Sequence, residues 1–277
     1  MIIDAHQHFW VYDPVRDAWI TPEMQAIQRD FLPQDLLPVL KASGIDGCVA
    51  VQADQSEQET DFLVQLAEAH DFVKGVVGWV DLRADNLYDR LSFYSQFEKL
   101  KGFRHVVQAE PDDFLRRDDF IRGVQQLAAF DFTYDILIYP SQLEAAGYFV
   151  GQLPEHLPLV LDHIAKPYIK TGDLEAWAQG IKYLAKYPQV HCKLSGLVTE
   201  ADWNRWKAAD FRPYLDVVVE AFGTDRLMFG SDWPVCLVAA SYPEIKAILD
   251  DYLAAFSEGE RRKIYGDNAV RFYQLND

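Results

Sequence analysis

The sequence predicts an α/β fold, a single-domain (β/α)8 TIM barrel, on three observations. Strand-like apolar runs alternate with helix-like stretches from end to end, the 277 residues suit eight such units, and the strand candidates repeatedly end in polar residues. The first candidate, 1–8, reads MIIDAHQH: an apolar start, then Asp4, His6 and His8 at alternating positions. Residues 9–35 make a long aromatic and charged connection carrying Pro14, Pro22 and Pro33, expected to be an irregular loop serving as lid or pocket wall. The second strand, 46–53 (DGCVAVQA), leads into a helical pattern at 56–70, where Phe62, Leu63, Leu66 and Ala67 form an apolar stripe and Ser56 can cap. Strand candidates 73–81 and 101–108 follow, each trailed by a helical pattern, at 85–99 and 117–130. Candidates 133–139 (TYDILIY) and 157–164 (LPLVLDHI) are near-continuous apolar runs, the mark of a parallel sheet covered on both faces. A helix at 173–187, strand 189–195, helix 211–222, strand 226–232 and helix 241–256 complete the alternation. No Gly/Ser-rich or Pro-rich linker divides the chain, so one domain spanning 1–277 is expected. A doubly wound open sheet is the main rival, but no GxGxxG or GxxxxGK[ST] follows a strand, which argues against a nucleotide-binding protein.

Composition narrows the function classes. A formal net charge of −17 disfavours nucleic acid and anionic membrane as partners, and the acidic residues are spread as a solvated surface. No run of about 18 apolar residues is present, and no basic region with an apolar stretch opens the chain, so neither a membrane span nor a signal peptide is expected. Three well-separated cysteines (Cys48, Cys192, Cys236) read as reduced, buried thiols of a cytoplasmic protein.

The chemistry gathers where the strands end. His6 and His8 share one strand face, with Ile3, Ala5 and Gln7 expected on the other. Two imidazoles so placed can hold a metal or steer a carbonyl oxygen. The third strand ends in Trp79 and Asp81, the fourth in Arg104 and His105, and the fifth in Tyr139. The sixth ends in Asp162 and His163, the seventh in Lys193 and Ser195, and the eighth in Asp232. In a barrel these ends surround one mouth. If His163 points into the mouth, strict alternation turns Asp162 away.

The combination of Asp4-x-His6-x-His8-x-Trp10, GWVDL at 78–82, KGFRHVVQ at 101–108, LDHIAKP at 161–167, CKLSGL at 192–197 and LMFGSDWPV at 227–235 resembles the amidohydrolase superfamily, over essentially the whole chain. It is most similar to the sugar-lactonase branch, the L-fuconolactonase and L-rhamnonolactonase-like enzymes with their sister 2-pyrone-4,6-dicarboxylate lactonases. The resemblance implies a barrel that hydrolyses a cyclic ester of an aldonic acid, a small-molecule sugar lactone. By strand count Tyr139-Pro140 stands where metal-dependent relatives place a histidine, and 133–140 contains no lysine, so a two-metal centre is not expected. No cofactor is expected to be required, although one divalent ion such as zinc could sit on His6, His8 and Asp232, with His163 near. Asp232 is the expected general base, with His6, His8 and His163 around the lactone carbonyl oxygen. Arg104 and Lys193 are candidates for substrate contact or for internal ion pairs, and Tyr139 for substrate contact. Trp10, Tyr12, Trp19, Trp79 and Trp233 are candidate walls for a sugar ring, each also explicable as packing. The alternatives are a mononuclear metal-dependent amidohydrolase or decarboxylase of another small substrate, and a sugar-binding protein on an inactive barrel. Oligomeric state is left open by the sequence.

Overall fold

Eight parallel strands stand side by side in chain order: β1 (Ile3–Gln7), β2 (Gly47–Val51), β3 (Val73–Gly78), β4 (Leu100–Val106), β5 (Thr133–Leu137), β6 (Leu159–Leu161), β7 (Val190–Leu194) and β8 (Leu227–Phe229). The computed structural model describes residues 1–276. The seam between β8 and β1 closes just past the end of β8. There the Asp232 amide donates to the His6 carbonyl at 2.9 Å and the His8 amide to the Trp233 carbonyl at 2.7 Å. The sheet is therefore a barrel, as the alternation of elements predicts, and not an open doubly wound sheet.

Among the described residues ten α-helices accompany the strands: α1 (Pro33–Ala42), α2 (Glu57–Ala69), α3 (Leu87–Tyr94), α4 (Asp118–Gln126), α5 (Leu143–Gln152), α6 (Glu175–Leu184), α7 (Ala208–Phe222), α8 (Tyr242–Tyr252), α9 (Glu258–Arg262) and α10 (Asn268–Phe272). Ser56 caps α2 as its position suggests, its hydroxyl accepting from the Glu59 amide. Pattern reading misses α1, α5, α9 and α10. Pro33 and Pro38 disguise α1, which takes over the end of the expected first loop. Two glycines dilute the helical signal of α5, yet a Cβ at Gly147 would lie 2.3 Å from the Tyr183 ring, so a small residue is what lets α5 lie against α6. The connection after β1 is better packed than a loose lid. Phe9, Trp10, Ile20, Ile27 and Phe31 are buried, and Trp10 and Phe31 exchange backbone hydrogen bonds at 2.9 Å.

Burial divides into two shells. Outward residues such as Phe103, Tyr134, Leu161 and Phe229 pack under the helices. Inward residues Ile3, Val49, Val77, Val160 and Met228 meet Phe272, Tyr273 and Leu275, so the end of the chain fills the barrel interior. All three cysteines are free and buried. Among the described residues no helix is long and apolar enough to cross a membrane.

Candidate active site at the mouth of the barrel

A bulge in β1 places the first two imidazoles. Asp4 pairs with Cys48 and Gln7 with Ala50, so β1 spends three residues where β2 spends two. His6 and His8 face the interior together, and Gln7 turns out to reach the Cys48 sulfur at 3.4 Å. Ile3 and Ala5 also pack inward, against expectation, because the extra residue shifts the phase of alternation. Asp4 points outward and ties the seam. It accepts from the His6 amide (3.1 Å), the Ser231 amide (2.9 Å), the Ser231 hydroxyl (2.6 Å) and the Tyr242 hydroxyl (3.0 Å). Burial nevertheless pushes the Asp4 carboxyl up to about 6, against these hydrogen bonds. Gly230 allows the close approach of the two chain segments, since a Cβ there would lie 2.7 Å from that of His6.

His163 arrives by a different route. β6 stops at Leu161, and residues 163–166 all have left-handed backbone, with φ between 43° and 57°. Strand alternation does not apply there, so Asp162 and His163 both face the interior, correcting the expectation that Asp162 turns away. Four consecutive non-glycine residues in this region, one of them the β-branched Ile164, store backbone strain next to the chemistry. The Trp177 indole holds the turn through the Ile164 carbonyl at 2.7 Å. Gly196 clears space for the imidazole, because a Cβ there would sit 2.7 Å from the His163 ring. The Ser195 hydroxyl lies 2.8 Å from His163 Nδ1.

These groups converge on Asp232, itself at φ 58°. Its Oδ1 lies 3.4 Å from His8 Nε2, 3.8 Å from His163 Nε2 and 4.0 Å from His6 Nε2, while the two Nε2 atoms of His6 and His8 are 3.2 Å apart. All four residues are buried. Burial holds His6 and His163 well below the usual imidazole range, hence neutral. Burial would raise the Asp232 carboxyl, but His163, His8 and Lys166 together bring it below the usual range. With His163 neutral, Lys166 brings a lasting positive charge beside Asp232. Lys166 is missed by sequence reasoning, although it lies inside LDHIAKP. Burial opposes its charge, and Glu200, Asp232 and Tyr139 restore and strengthen it.

Beneath the imidazoles lies a layer of ion pairs. The Arg104 guanidinium meets Asp162 at 3.0 Å, His6 Nε2 at 3.3 Å and the Gln52 carbonyl. Lys193 Nζ, fully buried, meets Asp135 at 2.5 Å, Asp162 at 3.0 Å and His6 Nδ1 at 3.1 Å. Asp162 is held well below the carboxylate range, with Lys193, His6 and Arg104 outweighing its burial. Burial pushes Asp135 up to about 6 despite Lys193. Trp10 is buried, its indole bonded to the Arg29 carbonyl at 2.8 Å. Trp19 packs edge-on against Trp10, and Trp233 against Phe9 and Phe31. Trp79 donates to His105 at 3.3 Å, on the outer side of β4, where His105 stacks on Phe114. Tyr139 is 37% exposed. A cleft of about 460 Å³ between Val11, Arg16, Asp54 and Phe62 holds none of the imidazoles.

The donor set suits a single divalent ion. His8 Nδ1 faces the Val51 carbonyl at 2.7 Å, which leaves its Nε2 lone pair free, and buried Asp232 Oδ2 has no hydrogen-bond partner. His6, His8 and Asp232 offer ligand atoms within 4.8 Å of one another, as do His6, Asp162 and His163.

Comparison with known proteins agrees with this architecture. The chain is 43% identical to an L-fucono-1,5-lactonase of Burkholderia multivorans, with 99% of this chain and 96% of that protein covered. It is 36% identical to an L-fucono-1,5-lactonase of Burkholderia ambifaria, over 99% and 96% of the two chains. A crystal structure of a Burkholderia multivorans amidohydrolase with bound zinc superposes with a TM-score of 0.95, at 43% identity and 100% coverage of both chains. The sequence profile of the amidohydrolase family matches residues 3–275. The chain belongs to the amidohydrolase family.

Proposed function

We propose that this protein hydrolyses a sugar lactone, with a 6-deoxy sugar acid lactone such as L-fucono-1,5-lactone as substrate and Asp232 as the base. The observation that carries this reading is the division of labour among hydrogen-bonding atoms around Asp232. His8 donates from Nδ1 to the Val51 carbonyl, so its Nε2 is an acceptor. Two donors face His6, Lys193 Nζ at Nδ1 (3.1 Å) and Arg104 Nη1 at Nε2 (3.3 Å), and the His8 Nε2 acceptor 3.2 Å from His6 Nε2 decides between them, so we assign the His6 proton to Nε2. The Ser195 hydroxyl can donate or accept at His163 Nδ1, and we assign it as the donor, which leaves the His163 proton on Nε2 as well. The Asp232 carboxylate, whose Oδ2 has no hydrogen-bond partner, is the acceptor that takes the attacking water. Two neutral N–H donors, from His6 and His163, face the carbonyl oxygen.

In the reaction the water oxygen bonds to the lactone carbonyl carbon while Asp232 takes its proton. Negative charge grows on the former carbonyl oxygen, where the His6 and His163 N–H groups are already placed and need no reorganisation. The ring C–O bond then breaks and the proton held by Asp232 passes to the departing ring oxygen. The new carboxylic acid ionises, releasing one proton to solvent. An ester demands less activation than an amide, so this machinery suffices for a lactone. The curated relatives named as L-fucono-1,5-lactonases support the choice of substrate.

A second reading is favoured by the unpartnered Asp232 Oδ2 and by the zinc in the related Burkholderia structure: His6 and His8 through Nε2, with Asp232, would hold one divalent ion, zinc being suited to such nitrogen and oxygen donors. A bound ion of this kind supplies Lewis-acid polarisation of the carbonyl. His6 would then carry its proton on Nδ1, facing Asp162 Oδ1 at 3.3 Å. The free buried thiols suit a reducing compartment, and we place the protein in the cytoplasm.

Proton release on a panel of aldono-1,4- and 1,5-lactones tests the reading, run beside Asp232→Asn and with a chelator. Opening of a 6-deoxy lactone that the variant loses and the chelator spares supports the metal-independent reaction. Loss with chelator moves the reaction to the metal-assisted form, and no turnover of any lactone refutes the assignment.

A further inference from the structure

Three side chains at the mouth stand outside the reacting cluster, on three successive strand ends. Tyr139 follows β5, Lys166 follows β6 and Glu200 follows β7, beside Asp232 of β8. Lys166 Nζ lies 3.3 Å from Glu200 Oε1, and the two side chains are 15% and 17% exposed, enclosed but still reachable from the mouth. Their backbones are fixed. The Lys166 amide donates to the His163 carbonyl at 2.8 Å, the Lys170 amide donates to the Glu200 carbonyl at 3.0 Å, and the Tyr139 amide donates to Gln142 Oε1 at 2.9 Å. Lys166 rides on the same left-handed turn that presents His163, so its ammonium is held in register with the reacting centre.

We infer that Lys166 and Glu200, together with Tyr139 from the preceding strand end, form the subsite that reads the ring hydroxyls of the substrate. This rests on the lactonase reading above. An ammonium donates and a carboxylate accepts, so the adjacent pair answers both halves of two neighbouring hydroxyl groups. A ring without hydroxyls leaves the ion pair intact but its remaining donor and acceptor positions unfilled as water is displaced. Sites that bond substrate hydroxyls discriminate strongly against analogues lacking them, for this reason. The subsite determines specificity and takes no part in bond making.

The test compares L-fucono-1,5-lactone with δ-valerolactone, the same ring stripped of hydroxyls and methyl, in wild type, Lys166→Met, Glu200→Gln and Tyr139→Phe. The ratio of kcat/KM for the two substrates is expected to fall about tenfold or more in the Lys166 and Glu200 variants, and less for Tyr139→Phe. For L-fucono-1,5-lactone the loss in Glu200→Gln and Tyr139→Phe should lie mainly in KM, whereas Lys166→Met also removes a charge beside Asp232 and should lower kcat on both lactones alike. Tyr139→Phe changes a partly exposed side chain by one hydroxyl, so it keeps the question answerable if a charge variant fails to fold. An unchanged ratio, with both substrates affected equally or not at all, makes the pair a structural clasp and overturns the inference alone. A wild-type protein that opens neither lactone overturns the lactonase reading and this inference with it.

Discussion

The barrel interior holds two layers of buried ionisable groups, and they are finished differently. In the lower layer every charge meets an opposite charge: Lys193 between Asp135 and Asp162, and Arg104 on Asp162, with the Tyr273 hydroxyl bonded to Asp135 at 2.9 Å. In the upper layer Asp232 sits among three imidazoles, two of them held neutral, and one of its oxygens has no partner. Charge matched by charge makes the lower layer a support, although Arg104 Nε has no hydrogen-bond partner. Incomplete pairing makes the upper layer reactive, because its open valences are where water, substrate or an ion must bind. His6 joins the two, with Nδ1 toward Lys193 and Nε2 toward His8.

Substitution in the upper layer is expected to cost activity and little stability. Asp232→Asn should lower kcat by about 10²–10⁴-fold, the range of general acid–base contributions. Its unfolding free energy should stay within about 1 kcal/mol of wild type, since the change removes a buried, underpaired charge. Urea unfolding and initial rates on the same preparations measure both. A large stability loss in this variant would erase the distinction between the layers.

The lower layer should behave in the opposite way. Lys193→Met keeps the aliphatic stem but leaves Asp135 and Asp162 facing each other without their shared cation. The expected destabilisation is about 3–5 kcal/mol, the usual cost of breaking a buried ion pair by removing one partner. Activity should also fall, through disorder of His6. If Lys193→Met unfolds like wild type and loses only activity, Lys193 belongs with the reactive layer.

The two layers should also titrate in different pH windows. Burial raises Asp135 to about 6 in the folded protein, against about 3.9 for a carboxyl in the unfolded chain. Between these values the folded state holds a proton that the unfolded state has released. Stability therefore increases as pH falls from about 6 to about 4, by about 1–3 kcal/mol from this group. Asp162 is depressed, so its contribution is fully present above the unfolded carboxyl value and disappears as pH falls through its folded value, below about 4. Asp232 is also depressed, so it stays ionised at pH 5, where the lower layer has begun to take up a proton. Unfolding midpoints should thus be higher at pH 5 than at pH 7.5, with the increment reduced in Asp135→Asn. The Asp232 ionisation should leave no acid limb in kcat above pH 5. A stability gain on acidification that is the same in Asp135→Asn would reassign it to Asp4, which burial also raises to about 6, or to relief of the net negative charge on the surface.

What the sequence could show followed from periodicity and from strand ends. His6, His8, His163 and Asp232 are legible because barrels expose the carboxyl ends of their strands, and the eight strands appear where apolar runs precede them. The bulge in β1 is not legible, since one extra residue turns Ala5 inward while Gln7 stays on the opposite face, without changing any residue type. The left-handed turn at 163–166 is equally hidden, as nothing in His-Ile-Ala-Lys advertises positive φ, and it alone explains why Asp162 and His163 face the same way. Lys166 and Glu200 belong together only once β6 and β7 are neighbours, 34 positions apart in the chain but 3.3 Å apart at their charged atoms. Lys193 could be read equally as a substrate contact or as an ion-pair partner, and its three buried neighbours place it beneath His6.

The smallest predicted effect tests how finely the upper layer is placed. Gly196 has φ +62°, and its missing Cβ leaves the space that the His163 ring occupies. Gly196→Ala must bear about 1–2 kcal/mol for a left-handed alanine and must also push the imidazole away from a contact at 2.7 Å. The expected result is a drop in kcat of about tenfold with a smaller change in KM, because the displaced His163 N–H meets the oxyanion that forms during reaction more than the ground-state carbonyl. A variant that loses stability but retains kcat would show that His163 is a spectator held in place by packing. The two donors to the oxyanion would then reduce to His6, which meets Lys193 at Nδ1 and Arg104 and His8 at Nε2.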